Sequence, residues 1–338
     1  MKAMVMREFG PPEVMRLEEV PTPVPGPGEV LVEVHAVSVN RTLDLIVRSG
    51  KYPRNIKLPH VLGVDPAGVV AALGPGVTTR KIGDRVASYL LLDRGGPDRP
   101  PTMLGLSVWG GYAQYVVLPE KVTYLVPDAV DLATATVVSR HAPLAFSMLR
   151  DKAKVAPQEW VLVMGAAGGL GSAAVQAAKY LGARVIAAAG APERVQVGID
   201  LGADAGIDYR HADLTAEVRR ITGGKGADIV LENIGDPDLF RQAFASLGRG
   251  GRMVTAGSHG GGIVPLDVSH LYINGITIMG WTGQNDADVN ESLKAAGEGR
   301  FRVVIDRIMP LSEAVEAHRL VGERDGIGKL ILDPRLSV

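Results

Sequence analysis

The sequence predicts an α/β chain: a doubly wound parallel sheet joined to a second, β-rich domain. Two patterns carry this. From about residue 160 short apolar runs alternate with helical segments at the pitch of βαβ units. Up to about residue 128 the runs are short, bounded by Gly, Pro or Asp, and without helical period apart from a short helix near 41–49. A third observation is the glycine excess, 42 of 338 residues, about 12% against a usual ~7%. It has no three-residue period, so it belongs to turns and close approaches.

The N-terminal elements follow in order. MKAMVM and VMRLEEV read as strands, and PTPVPGPG (21–28) as a surface loop, since Pro at this density blocks helix and ladder alike. EVLVEVHAV, GVVAALG, DRVASYLL and YAQYVVLP are further strands, and DRGGPDRPPTMLG (93–105) is expected to be a long irregular, mobile loop lining the substrate entrance. DLATATVVSRHAPLAFSMLRDKA reads as helix. WVLVMG, RVIAAAG, AGIDY, ADIVLENI, GRMVTAG and ITIMGW then read as strands, separated by helices in all but the last interval. Their near-continuous Val, Ile, Leu and Ala content suits a sheet covered on both faces. A helix (ADVNESLKAAGEG), a strand (RVVIDRIMP), a helix (LSEAVEAHRLVGE) and a strand (GKLILD) close the chain.

Composition bounds the function. Lys+Arg number 36 and Asp+Glu 37, a net charge of −1, which gives no reason to bind nucleic acid or an anionic membrane. The longest apolar stretch, WVLVMGAAGGLGSAAV, is too short and too Gly-broken to span a bilayer. Arg7 and Glu8 interrupt any signal-peptide core, so a cytoplasmic protein with a small-molecule substrate is expected. Cysteine is absent, which removes every disulfide, thiolate ligand and cysteine nucleophile.

The strongest motif is WVLVMGAAGGLGSAAVQAAKYLG at 160–182, a strand, a glycine turn and a helix. A pyrophosphate needs free backbone N–H groups at a helix N-terminus and a turn without Cβ atoms. Gly165, Ala166, Gly168, Gly169, Leu170 and Gly171 supply that turn, and Ala173, Ala174, Ala177 and Ala178 a thin packing face. NAD sites place an acid about 20 residues beyond the glycines. Here the second strand ends VIAAAGAP (185–192), with Gly190 and no acid. Arg194 follows as a phosphate partner and Tyr209 as a hydrogen-bond donor, so NADPH is the expected cofactor.

PGPGEVLVEVHAVSVN, LPHVLGVDPAGVV, GDRV at 83–86, WGGYAQYVVLP, the glycine turn, GADAGIDYR, GGKGADIVLENIG and FRVVIDRIMPLSEAVEAH followed by GKLIL cover nearly the whole chain. Together they resemble the medium-chain dehydrogenase/reductase superfamily, most closely its zinc-free quinone oxidoreductase and enoyl reductase branches. The resemblance implies a GroES-like catalytic domain (1–135 and 286–338) and a Rossmann domain (136–285). It places the first zinc-ligand position of the alcohol dehydrogenases at Asn40 or Arg41, the His-Glu pair at Val64-Asp65 and the third ligand at Arg140. An Arg cannot ligate zinc, and the seven histidines are scattered singly, so no metal is expected. Loop 93–105 stands where relatives carry a four-cysteine zinc lobe.

Without a Lewis acid, hydride transfer to an activated C=C or a quinone is easier than to a simple ketone, because the added charge delocalises. The expected activity is NADPH-dependent reduction of an enone, enal, enoyl thioester or quinone. The alternatives are a zinc-independent alcohol or carbonyl dehydrogenase and a non-catalytic NADPH-binding protein. By resemblance, Tyr52 matches the proton donor of enoyl thioester reductases. Asn40 holds either the nicotinamide ribose or the substrate carbonyl. Arg140 and His141 form a charged pair in an apolar stretch, VVSRHAPLAF, where Leu144 replaces a Thr that contacts nicotinamide. Arg140 either stabilises an enolate oxygen, binds a substrate carboxylate or pairs with an acid such as Asp65, and His141 relays a proton. Asn233 and Gly235 approach the nicotinamide ribose, Ala256, Gly257 and Ser258 flank the nicotinamide, and Lys329 lies near the cofactor phosphates. The apolar strand 276–281 is an expected edge strand pairing with its copy in a homodimer.

Overall fold

The computed structural model describes every residue except His259, Gln284, Arg324, Asp325, Ser337 and Val338. The chain divides into two compact units: Met1–Arg140 with Val289–Glu298 and Val303–Val338, and His141–Asp288 with Gly299–Arg302. The division falls between Arg140 and His141, inside one helix and a few residues beyond the expected 135.

The strands of the first unit up to residue 125 are β1 (Lys2–Met6), β2 (Met15–Glu19), β3 (Glu29–Ser38), β4 (His60–Val61), β5 (Ala67–Leu73), β6 (Arg85–Ser88), β7 (Leu91–Asp93), β8 (Thr102–Met103), β9 (Tyr115–Pro119) and β10 (Thr123–Leu125). Helix α1 (Asp44–Arg48) follows β3, and α2 (Leu132–Phe146) ends this stretch. The second unit holds β11 (Trp160–Met164), α3 (Gly169–Tyr180), β12 (Arg184–Ala189), α4 (Pro192–Asp200), β13 (Ala205–Asp208), α5 (Leu214–Ile221), β14 (Ala227–Glu232), α6 (Pro237–Ala245), β15 (Leu247–Thr255), α7 (Val268–Ile273) and β16 (Thr277–Gly280). Helix α8 (Asp286–Gly297) leads to β17 (Ile305–Pro310), α9 (Ala314–Glu323) and β18 (Lys329–Asp333).

In the first unit β3 organises the packing. Its first half pairs with β5 on one side and β9 on the other. Its end, Val37–Ser38, pairs with Leu332–Ile331 of β18. The side chains of Val30, Val32 and Val34 are fully buried with Met4, Met6, Leu62, Val70 and Leu118. Because β3 ends beside the start of β18, residues 38–40 emerge next to Lys329, and the polar cluster described below forms there.

Strands β11 to β16 form one all-parallel sheet in the order β13-β12-β11-β14-β15-β16. Strand β11 sits between β12 and β14, so the winding reverses at the β11/β14 junction, where open α/β sheets bind ligands. Leu162, Met164, Ile186, Val230 and Met253 fill its core with Phe240 and Phe244.

Two expectations change. Residues 93–105 are not wholly irregular: β7 and β8 make an antiparallel hairpin closed by residues 94–101, with a further bridge between Gly96 and Arg99. The helix read at 131–153 is α-helical only to Phe146, and Ser147–Lys152 continue as a π-helical turn. Pro143 lies inside α2. A proline there lacks the N–H for its helical bond and crowds the preceding turn, so local distortion is expected at this point. Helix α7 was not legible in the sequence.

Candidate cofactor and substrate sites

The cofactor half-site lies at the carboxyl ends of the parallel strands. Helices α5, α6 and α7 each start on an aspartate, Asp213, Asp236 or Asp267, whose carboxylate accepts a first-turn N–H. Helix α3 starts on Gly168 with no side-chain cap, so its first amides are available to an external anion. Gly165 has φ +63°, and a Cβ on Gly171 would stand 2.1 Å from the Gly165 carbonyl oxygen. The cradle therefore exists only with glycine at both places, and the residues fit a dinucleotide pyrophosphate.

The other strand ends converge around it. Asn233 Oδ1 lies 2.9 Å from where a Gly165 Cβ would stand, and a Gly257 Cβ would strike the Asn233 carbonyl at 1.9 Å. Gly235 packs against Ser258 in the same way. Ala256 donates its N–H to the Glu232 carbonyl. Buried Glu232 holds this turn: Oε1 accepts from Ile234 N and Gly235 N, and Oε2 from the Thr255 hydroxyl. Gly190, ending β12, has the Tyr209 ring and Arg210 Nε within 3.0–3.2 Å of its would-be Cβ. Tyr209 was anticipated there and Arg210 was missed. The signal was a cation one residue beyond the third strand's aromatic. His141 packs on the glycine turn, with Nε2 2.5 Å from a Gly169 Cβ position.

The first unit carries a buried polar cluster. Asp65 accepts from Ser38 N (3.0 Å), Ser38 Oγ (2.5 Å) and Asn40 Nδ2 (3.0 Å). Asn40 Nδ2 also points at Ser38 Oγ, while Asn40 Oδ1 accepts from Lys329 Nζ at 2.9 Å. Lys329 gives a second hydrogen to the Val39 carbonyl at 3.2 Å. Burial pushes the Lys329 pKa down, Asp65 and Asp44 oppose that, and the positive charge of Arg140 adds to it. Arg140 thus lies within electrostatic reach of Lys329, and its Nε is buried without a hydrogen-bond partner.

Asp44, at the start of α1, fixes the Asn40 loop. It accepts from Asn40 N at 2.7 Å and Gly63 N at 3.2 Å. Burial, then the Asp65 charge, raises its pKa to about 7. Behind it lie Tyr112 and His318. Tyr112 Oη meets His318 Nε2 at 3.1 Å, and Arg48 Nη1 meets His318 Nδ1 at 3.2 Å. Arg48 can only donate, so Nδ1 accepts and Nε2–H donates to Tyr112. Burial, reinforced by the Arg48 charge, lowers the His318 pKa to about 3.

Several sequence assignments are redrawn. The Asn40 amide is spent on Asp65, Ser38 and Lys329, so it orients the lysine and has no N–H left for a ribose or carbonyl. The Lys329 ammonium is bonded to Val39 and Asn40 in this cluster. Arg140 forms no ion pair with Asp65 among the described residues, since that carboxylate is filled by Ser38 and Asn40. Arg140 lies within electrostatic reach of Lys329, and His141 packs on Gly169. Tyr52 is partly buried against the first unit's core and takes no part in the cluster's hydrogen bonds.

Two family matches cover these halves: alcohol dehydrogenase GroES-like domain over residues 26–128, and zinc-binding dehydrogenase over residues 169–306. The chain is 32% identical to a quinone oxidoreductase of Sus scrofa over 98% of its own length and 97% of the relative's. It is 35% identical to an alcohol dehydrogenase of Rhizobium meliloti (strain 1021), over 95% and 97% respectively. A crystal structure of an NAD-dependent alcohol dehydrogenase superposes with TM-score 0.90 at 38% identity, covering 98% of this chain and 99% of that one. The zinc in the second family's description does not fit the residues here. Arg140 is a permanent cation, Asp65 is spent on hydrogen bonds, and no group of three or more His, Cys, Asp or Glu among the described residues could hold a metal ion. No helix among them is long and apolar enough to cross a membrane.

Proposed function

Because the chain belongs to the medium-chain dehydrogenase/reductase superfamily, in its quinone oxidoreductase-like branch, we propose that it is an NADPH-dependent, zinc-independent reductase of activated C=C bonds or quinones. The cofactor supplies the hydride when bound. The observation that carries the reading is the Asn40–Lys329–Asp65 cluster. It offers an ammonium held by two acceptors, with a third N–H to spare, for an oxygen that becomes an enolate or hydroquinone anion. Tyr52 is the proposed proton donor. The preference for NADPH rests on the β12 end, which carries no acid and is flanked by Tyr209, Arg210 and Arg194.

Oxidation of NADPH with a 1,4-quinone, an enal, a 2-enoyl thioester and an aldehyde tests this, together with NADP⁺ reduction by primary and secondary alcohols. Turnover of the first three classes at least tenfold above aldehyde and alcohols is expected. The alcohol dehydrogenase relatives favour a second reading, carbonyl reduction, which the reverse ranking would establish. Heat protection by NADPH with no turnover would leave a cofactor-binding protein.

The proposed assembly is a homodimer through β16, the last strand of its sheet. In the segment that precedes it, Ile263, Val268, Tyr272 and Ile273 are exposed, at 89, 60, 69 and 64%. An open sheet edge is an association surface.

A further inference from the structure

We propose that Arg140 is a carboxylate anchor, and that the substrate of this site is an unsaturated carbonyl compound bearing a separate carboxylate. This rests on the function proposed above and names the substrate class within it.

Asp65 is filled by three donors from Ser38 and Asn40. Asp44 is engaged by the Asn40 and Gly63 amides. Lys329 is tied through Asn40 to Asp65, so one cation has its counter-charge. Arg140 has none. It stands on an apolar stretch of α2, close enough to Lys329 and Tyr89 to act on both electrostatically, and its Nε is buried with no partner. A buried donor left unmade costs free energy unless something fills it.

One ammonium suffices for an oxyanion that develops during turnover, so Lys329 meets that need alone. A second fixed cation beside it serves a charge present in the ground state. The guanidinium fork suits a carboxylate, which takes two parallel N–H bonds, better than a lone carbonyl oxygen. The carboxylate is separate from the reacting C=C, because a conjugated carboxylate would oppose hydride addition.

The test is calorimetry with trans-6-oxo-4-heptenoate, an enone whose carboxylate is set apart by two methylenes, and its methyl ester in the absence of reduced cofactor. With no cysteine in the chain, the thiol addition such electrophiles undergo is absent. The acid should bind the native protein at least tenfold more tightly than the ester. Arg140→Gln should remove that gap by weakening the acid, and Arg140→Lys should restore part of it. Equal binding of acid and ester to the native protein overturns the proposal even if Arg140→Gln fails to fold. So does equal loss of both ligands in Arg140→Gln. If neutral enones are reduced while acid and ester bind alike, the proposed function stands and the anchor falls. If the acid binds selectively and no unsaturated carbonyl is reduced, the anchor stands and the function falls.

Discussion

His318 should make the first unit acid-sensitive in a way that one substitution exposes. The side chain is buried between Arg48 and the Tyr112 hydroxyl and is held neutral to about pH 3. A second proton would go to Nδ1, which faces a guanidinium that can only donate. In the unfolded chain the same imidazole titrates near 6.5. Between those values the unfolded state binds more protons, so stability is lost as pH falls below about 6.5, by up to about 1.4 kcal/mol per pH unit. Lowering the pH from 6.5 to 4.5 therefore removes about 2–3 kcal/mol through this group. Asp44 works in the opposite sense. Its pKa is raised from 3.8 to about 7, so the native state keeps a proton the unfolded chain releases. Its contribution is present at low pH and lost as pH rises from about 4 to 7. The two trends mask each other in the native protein. Gln at position 318 can accept from Arg48 and donate to Tyr112 without titrating. Urea midpoints at pH 4.5 and 7 should be read from Trp109 fluorescence, with the other two tryptophans replaced by Phe. His318→Gln should gain about 2–3 kcal/mol at pH 4.5 relative to its parent, measured against the same comparison at pH 7. Parallel pH profiles for parent and variant would refute the buried, neutral His318.

Three further outcomes follow from the same geometry. Gly171→Ala forces a methyl within 2.1 Å of the Gly165 carbonyl, so NADPH affinity should fall by more than tenfold in a fluorescence titration; unchanged affinity would move the phosphate site elsewhere. Replacing Arg194 and Arg210 together by Ala should weaken NADPH by about 10–100-fold, as loss of charge-assisted phosphate contacts implies, and leave NADH within threefold; native protein that binds NADH more tightly than NADPH would overturn the cofactor assignment. Light scattering at micromolar concentration should give a dimer, and Ile278→Lys on β16 should give a monomer; a monomeric native chain would remove the edge-strand interface.

The cofactor half-site was legible because it depends on local backbone demands. A glycine turn between an apolar strand and a helix announces itself within 23 residues, and Gly165 to Gly171 and Gly190 were all readable. The polar cluster of the first unit was not. Asp44 meets Asn40 four residues away and Asp65 meets Ser38 and Asn40 next to β5, but Lys329 joins them only because β3 pairs with β18, a juxtaposition that no local pattern encodes. Each looked like an isolated polar residue, and Asn40 was therefore credited with a free amide it does not have. Residues 93–105 read as a loop since Pro and Gly dominate them, yet two short flanking runs suffice for a hairpin. His318 and Tyr112 were invisible for the same reason as Lys329: His318 meets Tyr112 206 residues away and Arg48 270 residues away.

The pairing of β3 with β18 also sets an order of events on the ribosome. Residues 141–288 form a nearly continuous stretch and can close their sheet before synthesis ends. The N-terminal strands emerge earlier and pair among themselves, but the end of β3 lacks its neighbour until residues 329–333 appear. At 5–20 residues per second that interval lasts about 15–60 s. During it the Val37–Ser38 edge is open and Asp65 lacks the lysine tied to it through Asn40. The polar cluster at the end of β3 is thus assembled only when β18 arrives.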